Sequence, residues 1–495
     1  MCRIMPPQAS SWVSVFDEAL IAARSLAGFA TSTFNPTVRL GVTGLSRAGK
    51  TVFITALVQA LIEGGRLPVF RAQAEGRVAG ANLSPQPDDT VPRFDYETHL
   101  ADLSGLDRHW PESTRQISEL RLVIDFQSNR RFASGMSRLT LDIVDYPGEW
   151  LLDLPLLNMS YAEWSAQTLA ASREGSRLAI AGPWHAFLAS LDPAASENEA
   201  VAREAASLFT AYLRAGRDER FALSTLPPGR FLMPGDLEGS PALTFSPLDL
   251  SQAGEAQPGS LHAMMERRYE AYKHKIIRPF FTQHFAQLDR QIVLVDALST
   301  LNAGPQAVHD LETALTSVLS AFRVGANSWW SAIFRPRIQK ILFAATKADH
   351  LHHTSHDKLE AILRKMADSA IKRASFSGAA VDVVALASVR ATREASVKQG
   401  RQTLPCIIGT PLAGEQTADE VFDGVAEIAV FPGELPENPN AVFKGGTFMG
   451  LESGQREGVD YRFIRFRPPK LEEGQIFPHI RLDRTLEFLI GDKLA

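Results

Sequence analysis

The stretch TGLSRAGKT, residues 43–51, directly follows the apolar run VRLGV at residues 38–42. Four residues separate its first glycine from Gly49-Lys50-Thr51, which is the spacing of a phosphate-binding loop between a strand and a helix. Glycines let backbone N–H groups turn inward around phosphate oxygens without interference from a Cβ atom. The helix N-terminus adds partial positive charge. The stretch therefore predicts an α/β nucleotide-binding fold, with an incidental glycine turn as the alternative.

The residues of this loop are expected to have different roles. Lys50 is expected to reach the β and γ phosphates, and the Thr51 hydroxyl to coordinate Mg²⁺. The predicted phosphate contacts are Gly44, Leu45, Ser46, Arg47, Ala48, Gly49, Lys50 and Thr51. Phosphate contacts do not distinguish one base from another, so the nucleotide has to be inferred from other motifs.

A second motif ends the run LTLDIVDYPGEW at residues 139–150. Asp145 comes at the end of a buried-type strand, where it would hold Mg²⁺ through water. Gly148, three residues later, would donate its backbone N–H to the γ phosphate and so respond to hydrolysis. Asp142 is the weaker candidate because it lies within the strand.

A third motif, FAATKADH at residues 343–350, predicts the base. In the pattern Thr346-Lys347-x-Asp349, the carboxylate accepts hydrogen bonds from N1–H and the exocyclic amine of guanine. Adenine offers neither donor and would leave a buried carboxylate unpaired, which costs several kcal/mol. The stem of Lys347 can cover the base plane. The backbone of Ser388 and Val389 is a candidate contact for guanine O6, although a plain strand-to-helix turn explains those residues equally well.

Composition excludes several classes of protein. The 495 residues are 45% hydrophobic and 22% charged, as in ordinary globular proteins. A net charge of −5 argues against direct nucleic-acid binding. Cys2 and Cys406 are too few for a disulfide framework. The sequence shows neither a signal peptide nor an apolar stretch of membrane-spanning length, so a cytoplasmic location is expected, with peripheral membrane contact left open.

The order of elements predicts the fold class. Buried-type strands at 291–298, 338–346 and 381–388 alternate with helical patterns, which is typical of a mostly parallel sheet covered by helices. We expect a P-loop NTPase G domain with a large helical insertion and a C-terminal strand-rich extension. The predicted segments are an N-terminal amphipathic helix (1–36), the first part of the G domain (37–150), the helical insertion (151–289), the second part of the G domain (290–400) and the extension with a final helix (401–495).

With these motifs in this order, the chain resembles the translation-factor-related class of P-loop GTPases. It looks most like the bacterial YcjX-like family of stress-associated GTPases, on the stretches GLSRAGKT, WPESTRQISELRL, DYPGEWLLDLPLL and LFAATKADHLHH. The resemblance implies binding of GTP and GDP with Mg²⁺, and GTP hydrolysis. It names no protein partner and no oligomeric state, and it leaves a membrane-associated partner open.

The first switch of such proteins supplies a threonine just before the strand that precedes Asp-x-x-Gly. Thr114 is the candidate here for Mg²⁺ and γ-phosphate contact, with Thr90 and Thr98 as rivals. The alternative is that Ser113 or Thr114 merely begins a strand. The predicted metal ligands are thus Thr51, Thr114 and Asp145.

One residue departs from the Ras-like pattern, in which a glutamine after Asp-x-x-Gly orients the attacking water. This chain has Glu149, whose charge would repel the γ phosphate unless a cation neutralises it. Arg47 is a candidate for that cation, although a surface position is equally compatible with the sequence. The predicted catalytic set is Lys50, Thr114, Gly148, Glu149 and Arg47, with slow hydrolysis. A guanine-nucleotide-binding scaffold with negligible turnover is the alternative, and an ATP-dependent enzyme is disfavoured by Asp349.

The stretch HLHHTSH at residues 350–356 carries four of the twelve histidines. His352 and His356 have the i, i+4 spacing of a zinc pair on a helix. However, a helix start is expected after the guanine motif, and we do not expect a metal here.

Overall fold

The computed structural model describes residues 35–44, 48–112, 116–129, 135–218, 220–320, 338–399, 402–416, 420–444, 463–472 and 474–495. Several sequence predictions lie outside these ranges: the N-terminal helix, the loop residues Leu45, Ser46 and Arg47, and the switch residues Ser113 and Thr114.

A seven-stranded sheet lies at the centre of the fold. Its strands are β1 (Thr37–Gly44), β2 (Val78–Ser84), β3 (Ser118–Ser128), β4 (Gly135–Asp145), β5 (Arg290–Val295), β6 (Lys340–Ala345) and β7 (Ala380–Ala385). Their order is β2-β3-β4-β1-β5-β6-β7. Strands β4, β1, β5, β6 and β7 are parallel, whereas β2 and β4 both pair antiparallel with β3. The predicted mostly parallel α/β sheet is confirmed.

Helices cover the sheet and build the insertion. The α-helices are α1 (Lys50–Ile62), α2 (Arg71–Ala74), α3 (Tyr96–Ser104), α4 (Tyr161–Ser172), α5 (Gly175–Leu188), α6 (Glu199–Gly216), α7 (Gly229–Leu232), α8 (Leu261–Tyr272), α9 (Arg278–Gln283), α10 (Ala297–Ala303), α11 (Pro305–Ser320), α12 (His356–Met366), α13 (Asp368–Phe376) and α14 (Leu482–Ile490). A π-helical turn, Lys273–Ile277, joins α8 to α9. The 3-10 helices are Gly148–Asn158, Gly235–Leu237, Pro241–Leu243, Phe285–Gln287, Ala348–His350, His353–Ser355, Pro439–Phe443 and Gly491–Lys493. In the part of the chain that the structure describes, no helix has the length and apolar character needed to cross a membrane.

The central strands are buried on both faces, which explains their continuous apolar sequences. In β5, Ile292 and Leu294 pack on the side of α1, whereas Val293 and Val295 pack on the opposite side. The strand ends earlier than the predicted residue 298, because the Asp296 side chain caps α10 by accepting a hydrogen bond from Ser299 N–H at 3.1 Å.

The described residues of the insertion share a hydrophobic core with the sheet. Its aromatic residues, among them Trp164, Trp184 and Phe209, belong to one buried cluster that continues to Val293 and Phe343 on the sheet. The helical run α8–α9 is interrupted by its π-helical turn, which lies just before Pro279, a residue with no N–H to donate to the helix.

The C-terminal part forms a small antiparallel sheet and then returns to the central one. The small sheet has the order β10-β9-β8 and consists of β8 (Arg393–Gln399), β9 (Gln402–Gly409) and β10 (Ile428–Val430). Strand β8 lies before the predicted segment boundary at residue 400 and pairs with β9 beyond it. The final helix, α14, packs with α1 and the central strands in one buried cluster.

Candidate nucleotide-binding site

A cavity of about 540 Å³ opens at the carboxyl ends of the parallel strands. In α/β sheets, ligands bind at this edge because the loops that follow the strands converge there. Residues from three of the sequence motifs line it together: Ala48, Gly49, Lys50, Thr51, Thr346, Lys347, Asp349, Ser388 and Val389. Residues from the insertion and from the extension line it as well.

The phosphate loop closes onto the first turn of α1. Gly49 has φ +80°, a left-handed conformation that favours glycine. At Gly44 a Cβ atom would lie 3.0 Å from Ala48 Cβ, so the two ends of the loop are close together. The first turn of α1 carries no acidic residue, which leaves its N–H groups suited to an anion.

The segment after β4 lies against the phosphate loop. Asp145 is buried and stands opposite Val42 on the neighbouring strand. A Cβ atom on Gly148 would be 2.2 Å from the carbonyl oxygen of Gly44, so only glycine permits this approach. The 3-10 helix that follows, Gly148–Asn158, is hereafter the switch helix.

The two oxygen-bearing side chains that the sequence suggests for Mg²⁺ lie on neighbouring elements at this edge of the sheet. Thr51 is buried in the first turn of α1, and the Asp145 carboxylate ends the adjacent strand β4. A hydroxyl and a carboxylate are hard ligands of the kind that Mg²⁺ prefers, with water and phosphate completing its shell. Asp142, the weaker sequence candidate, forms an ion pair with Arg121 at 2.6 Å.

Glu149 has a cation beside it, and that cation comes from the insertion. Its buried carboxylate lies 2.7 Å from Nη2 of Arg217, which follows α6 and lines the cavity. The sequence suggested Arg47 for this task, and Arg217 stands in none of the motifs. The sequence between them contains no motif that would connect Arg217 with Glu149.

The base end of the cavity is formed after β6. Lys347 has φ 61°, and its Nζ lies 2.5 Å from Oδ2 of Asp296. Asp349 is only 4% exposed and accepts a hydrogen bond from Ala391 N–H at 2.8 Å. A carboxylate has about four acceptor positions, so this bond leaves capacity for a base edge. Asp296, which is outside the sequence motifs, forms an ion pair with Lys347.

The C-terminal extension also reaches the base end. Phe463, Arg465 and Phe466 line the cavity, and the His350 ring lies edge-on to Phe466 at 5.6 Å. Trp110, which lies shortly before the Thr114 region, donates its indole N–H to the Phe466 carbonyl oxygen at 2.6 Å.

The two threonines considered as rivals of Thr114 are both exposed. Thr90 donates its hydroxyl to Asp88 at 2.6 Å, and Thr98 lies in the first turn of α3.

The i, i+4 spacing of His352 and His356 does not place the two histidines on one helix. Helix α12 begins at His356, so His352 precedes it and the two do not share a helical face. His356 is buried, and burial lowers its pKa. Ligand atoms of His352, His353 and Glu394 lie within 4.8 Å of one another instead, with His353 Nδ1 at 2.7 Å from Glu394.

The strand order, the glycine loop before α1 and the cavity at the strand ends define the class of fold, that of a P-loop NTPase G domain with a helical insertion. The chain belongs to the YcjX-like family, DUF463, whose sequence model matches residues 38–494. It is 40% identical to the "Ras-like GTPase YcjX" of Escherichia coli K12 over 92% of this chain and 96% of that protein. It is 35% identical to the protein of the same name from Shewanella oneidensis MR-1, over 92% and 94%.

Proposed function

We propose that this chain binds guanine nucleotides with Mg²⁺, hydrolyses GTP slowly and acts as a nucleotide-controlled switch. The observation that carries the proposal is the buried carboxylate of Asp349, which lines the same cavity as Lys50 and Thr51. A base-recognising acid and a phosphate loop are thereby joined in one site. The names of the two relatives support the same activity.

In this proposal the loop Gly44–Thr51 surrounds the phosphates, and Lys50 contacts the β and γ groups. Thr51 and Asp145, with Thr114 as a further ligand, would hold Mg²⁺, which neutralises phosphate charge when bound. Lys347 and Asp349 recognise the base with Thr346, Ser388 and Val389 beside them. The role in a bacterial stress response that the resemblance implies stays a prediction.

The switch would act through the switch helix. Gly148 lies against the phosphate loop, and the next residues pack on the insertion, so a change at the γ phosphate would be transmitted there. Asp153 accepts hydrogen bonds from Gly229 N–H and the Tyr272 hydroxyl, both at 2.6 Å. The insertion is therefore the part expected to respond to the nucleotide.

A second candidate is a guanine-nucleotide-binding scaffold with negligible turnover. The observation that favours it is the Glu149–Arg217 ion pair, because a carboxylate held by arginine is not placed to orient water. Release of inorganic phosphate from GTP under multiple turnover separates the two candidates.

Nucleotide specificity tests the base site. We expect nucleotide-free protein in Mg²⁺ to bind GDP and GTP at least about 100-fold more tightly than ADP and ATP, because adenine offers the Asp349 carboxylate neither of the two donors that guanine offers. Asp349→Ala should abolish that preference. Asp349→Asn should shift it toward xanthine nucleotides, whose C2 oxygen can accept from an amide. Asp368→Ala, which removes a half-buried carboxylate paired with Lys372, is the control. Equal binding of ATP to the wild type would refute the guanine assignment.

A further inference from the structure

We propose that Arg217 is a catalytic arginine that the insertion supplies to the γ phosphate of GTP, and that Glu149 is its positioning residue. The inference rests on the proposed GTP hydrolysis and adds a residue of the insertion to that reaction. It also gives the Glu149 carboxylate a task other than orienting the attacking water.

Two contacts connect Arg217 with the phosphate loop. Gly148 approaches the carbonyl oxygen of Gly44 in the phosphate loop, and Glu149 is the next residue. The Glu149 carboxylate is 2.7 Å from Nη2 of Arg217, and Arg217 lines the same cavity as Lys50 and Thr51. Glu149 and Gly148 thus link the guanidinium to the loop that is proposed to bind the phosphates, and in this proposal Arg217 contacts the γ phosphate.

The backbone before and after this arginine is held by packing and by hydrogen bonds. Before it, Gly216 is buried, and a Cβ atom there would lie 3.1 Å from Leu226 Cδ2. After it, Asp310 accepts hydrogen bonds from the backbone N–H groups of Ser224 at 2.5 Å and Thr225 at 2.8 Å. Arg217 also caps α6, where the partial negative charge of a helix C-terminus favours a cation.

Electrostatics favours the pair over an isolated Glu149. A carboxylate beside the γ phosphate would raise the energy of the site, whereas the ion pair is neutral overall. The guanidinium is planar and carries five N–H groups, so it can keep a carboxylate on one edge and contact a phosphate oxygen with another. Arginine in this position stabilises charge on the γ oxygens in the transition state.

The step balances without a further reactant. A water oxygen forms a bond to the γ phosphorus, and the bond from that phosphorus to the β–γ bridging oxygen breaks. Its electron pair stays on the β phosphate of GDP, and the protons of water leave with inorganic phosphate. The positive charge of Arg217 offsets the charge that develops on the γ-phosphoryl oxygens.

Single-turnover GTP hydrolysis and trapping of aluminium fluoride test the inference together. Arg217→Ala should lower the hydrolysis rate by at least about 100-fold, since arginine fingers contribute about 10³ to 10⁵. Its affinity for GDP should change by less than about threefold, because the contact is made in the transition state. Mg·GDP with aluminium fluoride should bind tightly to the wild type and not to Arg217→Ala. Arg214→Ala, on an exposed face of the same helix, is the matched control and should behave as wild type.

Further variants separate catalysis from folding. Arg217→Lys keeps the charge but not the planar fork, so a loss of at least about tenfold is expected even if Arg217→Ala is unstable. Glu149→Ala should slow hydrolysis without changing KM, and Glu149→Gln, which can still accept from the guanidinium, should recover part of the rate.

Unchanged GTP hydrolysis and unchanged aluminium fluoride trapping in Arg217→Ala and Arg217→Lys would overturn the role of Arg217 and leave the proposed GTP hydrolysis intact. A loss of GDP affinity equal to the loss of rate would also overturn the role of Arg217. A wild type that binds GDP but does not hydrolyse GTP would overturn the proposed hydrolysis as well.

Discussion

At the scale of single residues, Asp153 links the switch helix to the insertion through two hydrogen bonds. The donors are the Gly229 backbone and the Tyr272 hydroxyl, each at 2.6 Å. Burial raises the pKa of the Asp153 carboxyl to about 6, although both hydrogen bonds act in the opposite direction. This carboxyl therefore titrates in a range where most aspartates are already ionised.

The raised pKa predicts a pH dependence of stability. The unfolded carboxyl has a pKa of about 4, so between pH 4 and 6 the native state binds more protons than the unfolded state. The contribution of Asp153 is fully present below pH 4 and is lost as the pH rises through 6, by about 2 to 3 kcal/mol in total. Asp153→Asn should remove this dependence. Denaturant unfolding at pH 4.5 and 7.5 measures it, and a wild-type-minus-variant difference that does not change with pH would contradict it.

At the scale of elements, the loop around α7 holds the switch helix. The Arg230 guanidinium lies over the Trp150 ring, 3.2 Å from its centroid, and the Trp150 indole N–H donates to the Met233 carbonyl oxygen at 3.0 Å. Gly229 packs so closely that a Cβ atom would be 2.0 Å from the carbonyl oxygen of Glu149. The backbone of the insertion therefore lies directly against the residue that positions Arg217.

Gly229→Ala should separate these two elements. The added methyl group cannot fit without backbone movement, so we expect a loss of stability of about 1 to 3 kcal/mol and slower single-turnover GTP hydrolysis. Gly182→Ala is the comparison, because in helix α5 a Cβ atom there meets nothing within 4 Å. It should stabilise the protein by about 0.5 to 1 kcal/mol. Thermal unfolding and hydrolysis rates that are equal in the two variants would argue against the close contact.

At the scale of the whole molecule, the last helix completes the core beneath the nucleotide site. Leu486 and Leu489 of α14 pack in the same buried cluster as α1, which carries Lys50 and Thr51. The fully buried Arg290 on β5 donates to the Leu489 carbonyl oxygen at 3.2 Å and pairs with Asp492 at 2.9 Å. Helix α14 and the residues after it therefore pack against both α1 and β5, two elements of the nucleotide site.

Leu489→Ala should destabilise the whole protein rather than its C-terminal part alone. Removal of a fully buried leucine from a core costs about 2 to 5 kcal/mol. Leu106→Ala removes the same atoms from an exposed position and should change stability by no more than about 0.5 kcal/mol. Denaturant unfolding followed by tryptophan fluorescence and by loss of bound GDP should give one shared transition. Two separate transitions in the Leu489→Ala variant would contradict a common core.

The α/β class and the places of the chemical motifs along the chain could be predicted from local stretches of sequence. Gly49 meets a backbone requirement of the loop before Lys50, and Asp145 ends a strand whose burial requires apolar residues. Local requirements of this kind are visible in short stretches of sequence. The edge strand β2 was missed because VAGANLS is poor in β-branched and aromatic residues, and β8 because REASVKQ is largely polar.

The distant residues that complete the cavity are brought there by the tertiary fold. Arg217 from the insertion and Phe466 from the extension reach it through packing of whole elements, and neither stands in a recognisable motif. The Glu149–Arg217 pair likewise joins residues that are far apart in the sequence. The physical reason is that a hydrogen bond or an ion pair across a cavity depends on where the backbone brings two side chains. It imposes no spacing or periodicity on the local sequence around either of them.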